Sequence, residues 1–215
     1  MKKKAAEEKK RINKIFSLLK KEYPNTKPQL NYSNPFELLI ATILSAQCTD
    51  ARVNIVTEDL FKRFKFPIDY VNAPNEEIEK MIFSAGFYKQ KTKSIKSCTK
   101  DIVEKYNSEV PKDFDALTKL AGVGRKTASV VVGHAFGIPA IAVDTHVKRI
   151  TNLLGIVETK NPDKIETKLK ELLPKKNWID STHWFINHGR KICIANRPKC
   201  NECLLEKYCP SSKEK

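Results

Sequence analysis

Leu120-Ala-Gly-Val-Gly-Arg-Lys-Thr-Ala-Ser-Val-Val-Val-Gly-His-Ala-Phe136 is the stretch on which the fold class turns. Its three consecutive β-branched residues, Val130-Val131-Val132, are by themselves what a buried strand presents. A strand here would make the chain mixed α/β. The segment from Arg125 to Phe136 reads better as a helix, although the valines alone leave the strand open. Working outward favours the helix, because helical periodicity dominates on both sides.

Upstream, Ile12, Ile15, Phe16 and Leu19 fall three and four apart within Ala5–Tyr23, the stripe of an amphipathic helix. Pro24 and Pro28 break the chain. Asn34-Pro35 is a cap followed by proline at the first helical position, opening an apolar helix to about Ala46. Val53, Val56, Leu60 and Phe64 mark another helix, stopped near Pro67. Further helices are expected at Asn75–Ser84, Gln90–Tyr106 and Asp113–Leu120. Ile95, Cys98, Ile102 and Tyr106 share one face of the second of these. Downstream, Asp144–Leu154 ends at Gly155, Pro162–Leu173 is capped by Asn161, and Trp178–Arg190 leads into a cysteine-rich tail. The expected class is all-α.

The chain has 215 residues, 40 Lys+Arg against 25 Asp+Glu, and a net charge of +15. That length suits one large domain or two small ones, and 40% apolar residues suffice for a core. The basic surplus points to a polyanion, either nucleic acid or an anionic membrane. No apolar run approaches the roughly 18 residues needed to span a bilayer, so no membrane partner is expected. No secretory signal is visible, so the six cysteines are not expected to form structural disulfides. Seven glycines in the whole chain argue against a large β-sandwich or a Gly-rich nucleotide loop. Residues 1–21 hold nine Lys/Arg against two Glu, and Lys89, Lys91, Lys93, Lys96 and Lys100 form a second basic cluster. The first run reads as a solvated face, the second as a track for a phosphate backbone.

Three constellations carry chemistry. Cys193, Cys200, Cys203 and Cys209 are spaced C-x6-C-x2-C-x5-C, soft ligands for zinc or an iron–sulfur cluster. Structural zinc sites favour two close pairs around a longer insert. A single C-x-x-C with wide outer spacings fits a [4Fe-4S] cluster better. Gly122, Val123, Gly124 and Arg125 form a turn at a helix N-terminus, which suits amide donors aimed at an anion. Lys126 by itself is an ordinary surface lysine, and Asp144 an ordinary N-cap. Together, an amine and a carboxylate are what attack on a sugar carbon requires.

Leu120–Ala128, Gly137-Ile138-Pro139, Val143-Asp144-Thr145-His146, Leu44-Ser45-Ala46-Gln47 and the cysteine tail together resemble the endonuclease III family of helix-hairpin-helix DNA glycosylases. The resemblance runs from about residue 10 to Cys209. It implies a two-lobed fold, with a six-helix barrel domain over 28–138 and a discontinuous iron–sulfur domain from 1–27 and 139–215, DNA lying across the cleft. It implies base-excision repair of double-stranded DNA containing oxidised pyrimidines or abasic sites, by a monomer. The location would be the bacterial or archaeal cytoplasm, with the nucleoid, or the nucleus in a eukaryote. In such a family the damaged base is rotated out of the stack. Lys126 would attack C1′ and form a Schiff base, Asp144 would support sugar charge and proton transfer, and β-elimination would then cut the strand. Gln47 would fill the gap left by the base and Phe87 would wedge against its former partner. Arg190 and Lys199 would contact phosphates, and the four cysteines would hold a structural [4Fe-4S] cluster.

Three residues depart from the family's pattern: Phe87 for leucine, Ala121 for proline and Cys48 for alanine. Adenine-mispair glycosylases share the fold but carry a glutamate near the position of Ala41, and most lack the lysine. A non-catalytic iron–sulfur DNA-binding protein would have no reason to hold both Lys126 and Asp144.

Overall fold

The computed structural model describes residues 2–24 and 27–212, with side chains from Ala6 onward. Lys2, Lys3 and Lys4, part of the N-terminal basic run, have side chains outside the described residues. Among the described residues there are helices and no strands. The chain divides into two compact units, one of residues 28–140 and one of residues 1–27 with 141–215.

Helix α1 (Lys2–Glu22) belongs to the second of these units, and the helices of the 28–140 unit begin with α2 (Pro35–Leu44). Asn34 caps α2 by accepting from the Glu37 N–H at 2.9 Å, with Pro35 at the first turn. Then come α3 (Asp50–Arg63), α4 (Pro67–Asn72), α5 (Asn75–Ile82), α6 (Tyr88–Lys105), α7 (Phe114–Thr118) and α8 (Arg125–Phe136). Helix α3 ends before Pro67 as expected, but α4, which the sequence reading lacks, begins at that proline. Proline at the first helical position costs no hydrogen bond, and Asp69 accepts from the N–H groups of Lys65 and Phe66 at 2.9 Å each. The three valines lie in α8, where Val131 and Val132 are buried, so apolarity there reflects a helix in the core. That core joins Leu38, Leu39, Leu60, Tyr70, Ile95 and Val131. Cys98 belongs to it, and burial pushes its thiol up to about 12, an inert apolar filler.

The second unit is formed by α1, α9 (Thr145–Leu153), α10 (Pro162–Leu172) and α11 (Trp178–Lys191), with the cysteine loop after them. Ile15 and Leu19 of α1 share a core with Ile150, Trp184 and Phe185. Asn161 caps α10 as the sequence suggests. Arg11 binds α1 to the loop's end, its Nη1 donating to the carbonyls of Leu154 at 2.9 Å and Tyr208 at 2.5 Å.

Gly189 permits the close approach of α9 and α11. A Cβ there would lie 2.6 Å from His146 Nδ1 and 2.8 Å from Ile150 Cδ1. Alanine would otherwise favour the helix by about 0.5–1 kcal/mol. Gly189→Ala is nonetheless expected to destabilise the protein by about 1–3 kcal/mol through overpacking. A urea midpoint that stays put or rises would show that the two helices can part without loss.

Candidate functional site

The hairpin between α7 and α8 is shaped by Gly122, whose φ of +76° lies in the left-handed region that glycine tolerates. A Cβ at this position would also meet Ser94 Cβ of α6 at 2.9 Å. The hairpin is therefore pinned to α6 as well as to its own helices. Val123 corrects the idea that the whole turn presents outward amides. Its N–H donates to the Leu120 carbonyl at 3.1 Å and its side chain is buried. Gly124 precedes α8 with no side-chain cap, so the first turn of α8 carries the anion-binding potential. Gly122, Gly124, Arg125 and Lys126 are all exposed. The Arg125 guanidinium lies over the Phe114 ring at 5.0 Å, which orients it beside the hairpin.

Lys126 is the second residue of α8. Its side chain is exposed and makes no hydrogen bond or ion pair among the described residues. Asp144 stands in the other unit, at the N-terminus of α9. Its Oδ1 accepts from the Val147 N–H at 2.8 Å, so the capping role expected of it is real. Oδ2 has no hydrogen bond among the described residues. His146, the second residue of the same helix, has a buried Nδ1 with no hydrogen-bond partner among the described residues. Burial pulls its pKa down while Asp144 pulls it up.

Gln47 and Phe87 share an unusual backbone. Both are exposed and both sit in the left-handed region, at φ of 54° and 50°. For residues other than glycine this costs about 1–2 kcal/mol each, the kind of strain kept at functional turns. At 65% exposure Phe87 is not a core residue, which leaves its ring available to stack. Neighbouring Phe83 is also exposed, its ring 4.9 Å from that of Tyr88.

The basic cluster on α6 divides. Lys89, Lys93 and Lys100 are exposed, the last 3.8 Å from Glu104. Lys96 gives its ammonium to the Ala73 carbonyl. Lys91 is buried and donates to the carbonyls of Leu44 at 2.8 Å and Ala85 at 2.9 Å. Two of the five lysines read as a phosphate track therefore serve the protein itself. The signal was present: Lys91 lies four residues before Ile95, on the stripe continued by Cys98 and Ile102.

In the second unit, Cys193, Cys200, Cys203 and Cys209 line one cavity of about 160 Å³. Among the described residues none of the four forms a disulfide. Among the described residues no three His, Cys, Asp or Glu side chains converge to hold a single metal ion. The thiols instead border a shared volume. Two residues that sequence reasoning missed attend them: Arg149 Nη1 donates to Cys193 Sγ at 3.6 Å, and His188 Nε2 lies 3.6 Å from Cys203 Sγ. Burial, then Arg149, push the His188 pKa down to about 4, so its ring is neutral. Lys199, on the same loop, is exposed and 3.5 Å from Glu202, a pair that solvent weakens. Arg190, at the end of α11, is also exposed.

Comparison with known proteins gives the family. Residues 40–175 match the HhH-GPD superfamily base excision DNA repair protein family. The endonuclease III of Bacillus subtilis is 50% identical over 87% of this chain and 86% of its own length. That of a Synechocystis species is 45% identical over 97% and 96%. A solved structure of a trapped endonuclease III–DNA covalent intermediate, an estranged-adenine complex, superposes with a TM-score of 0.93 at 45% identity, covering 96% of this chain and 97% of that one. A hairpin followed at once by an exposed lysine, an aspartate-capped helix and a four-thiol loop thus occur in a chain that belongs to the HhH-GPD superfamily and, within it, to the endonuclease III family.

Proposed function

We propose that this protein is a DNA glycosylase and abasic-site lyase of base-excision repair, acting on oxidised pyrimidines in duplex DNA. The observation that carries this reading is Lys126: an exposed, unengaged amine on the uncapped first turn of a helix, directly after a Gly-x-Gly hairpin. The covalent DNA intermediate trapped in a relative at 45% identity supports it.

In this reading the first turn of α8 binds a backbone phosphate through its amides, aided by the helix dipole. Lys126 Nζ attacks C1′ of a nucleotide rotated out of the stack, and the N-glycosidic bond breaks with its electrons leaving on the base. The sugar ring opens and the C1′–N bond becomes an iminium. That cation acidifies C2′–H; loss of the proton expels the 3′ phosphate and cuts the strand. Asp144, through the oxygen not used for capping, supports positive charge on the sugar and accepts protons from the amine. Gln47 and Phe87 occupy the disturbed stack. The chain acts as a monomer, with Arg125, Arg190 and Lys199 on phosphates.

Residues 28–138 would form the barrel lobe and 1–27 with 139–215 the cluster lobe. The four-thiol cavity suits a [4Fe-4S] cluster: the ligands are soft thiolates and all four line one cavity. Cys193, Cys200, Cys203 and Cys209 would hold it, and its iron–thiolate bonds would cross-link the loop. Purified protein should contain close to four irons per chain and absorb visible light; stoichiometric zinc would overturn the assignment.

A duplex carrying a single thymine glycol tests the activity. Incision with a 3′ unsaturated-aldehyde end is expected, and a substrate left intact, together with an intact abasic-site duplex, would refute the proposal. Lys93→Ala should lower the slope of log binding constant against log salt by about 0.9, the loss of one phosphate contact. An unchanged slope would remove Lys93 from the interface.

A further inference from the structure

The buried ammonium of Lys91 grips the two turns that carry Gln47 and Phe87. Its two acceptors are the Leu44 carbonyl, three residues before Gln47, and the Ala85 carbonyl, two residues before Phe87. These belong to segments some 40 residues apart in sequence, and among the described residues no other side chain hydrogen-bonds to both. We propose that Lys91 is a positioning residue, a clasp that holds Gln47 and Phe87 at a fixed separation so that both enter the DNA stack together.

The proposal rests on the glycosylase reading above and adds a residue to it. Strained backbone persists only where its surroundings over-determine it, and both clasped turns contain a non-glycine residue in the left-handed region. A lysine at 5% exposure loses its hydration, and the carbonyl oxygens replace part of it. The burial lowers its pKa, and Cys48, on the first turn, opposes this. One turn further along α6, Ser94 abuts Gly122 of the hairpin. A single stretch of α6 thus touches all three segments that would face DNA, and Lys91 supplies the hydrogen bonds for two of them.

Lys91→Met keeps the aliphatic stem and removes the donors; Lys91→Gln keeps an amide donor and serves if the first variant does not fold. The full chain is assayed on a thymine glycol duplex and on a single-stranded oligonucleotide with an abasic site, which has no partner base to wedge. The ratio of duplex to single-strand incision should fall about 10-fold or more, as expected when positioned groups are displaced. Amide exchange at Cys48 and Gly86, both hydrogen-bonded within their turns, should quicken together while the α8 core keeps its protection. 2-Aminopurine opposite the lesion should show a weaker fluorescence rise on binding. Equal loss on both substrates, or faster exchange in only one turn, would overturn the clasp. Wild-type protein inactive on both substrates would instead refute the glycosylase reading.

Discussion

Lys126→Ala is expected to abolish the covalent adduct formed when borohydride is added to the protein and an abasic-site duplex. Borohydride reduces the iminium, and no other route fixes the chain to C1′ in this reading. Removing a nucleophile commonly costs several orders of magnitude, so turnover should fall by about 10⁴-fold or more. The fold should not suffer. Lys126 is exposed at the second position of α8 and engages no partner among the described residues. Alanine is the strongest helix former, so stability should move by no more than about 0.5 kcal/mol. Binding to an uncleaved duplex should weaken only slightly, by the loss of one positive charge. An adduct of undiminished yield would mean that a different amine attacks, and the assignment of Lys126 would fail.

Asp144→Asn separates two roles that one side chain performs. Asparagine caps a helix about as well as aspartate, so the bond to the Val147 N–H can survive. What disappears is the negative charge, whose favourable interaction with the helix dipole is worth about 0.3–1 kcal/mol. Turnover should therefore drop by roughly 10²–10⁴-fold, the usual worth of a positioned acid–base group, while the melting temperature shifts little. Asp144→Ala provides the contrast, since it also removes the cap and should cost a further 0.5–2 kcal/mol or so. Near-wild-type turnover in Asp144→Asn, with a loss of stability only in Asp144→Ala, would reduce Asp144 to a cap.

The capping role of Asp144 was legible because it depends on near neighbours. An aspartate ahead of an apolar-periodic segment is a cap wherever it occurs, and α9 begins one residue after it. Asn34 and Asn161 were readable for the same reason. Pro67 was half-read: its ring both ends one element and opens another, and only the Asp69 bonds to the preceding amides decide that α4 follows. Phe87 could not be placed from its type, since an aromatic beside Gly86 is as common in a core as on a turn. Its left-handed backbone and exposure identify it as a displayed ring.

The even alternation of charge and apolarity misled most at α6. Five lysines without an intervening acid looked like one surface, yet Lys91 and Lys96 spend their ammonium groups on carbonyls. The acceptors come from α2, from the turn before Phe87 and from the end of α4, so no window along α6 contains them.

By itself the sequence determined the all-α class, the main helices and their caps, and the spacing of the four thiols, and it singled out the lysine and aspartate to which the proposal assigns the chemistry. Each depends on local periodicity, a side chain within a few residues of the amide it caps, or intrinsic reactivity. Tertiary structure alone decided that Val123 spends its amide inside the turn, that Gly189 is needed where α9 meets α11, and that the thiols border one cavity. It also decided that one of the lysines behind the basic surplus is buried to grip two turns. Burial and hydrogen-bond partnership are set by elements far apart along the chain, and so only packing can specify them.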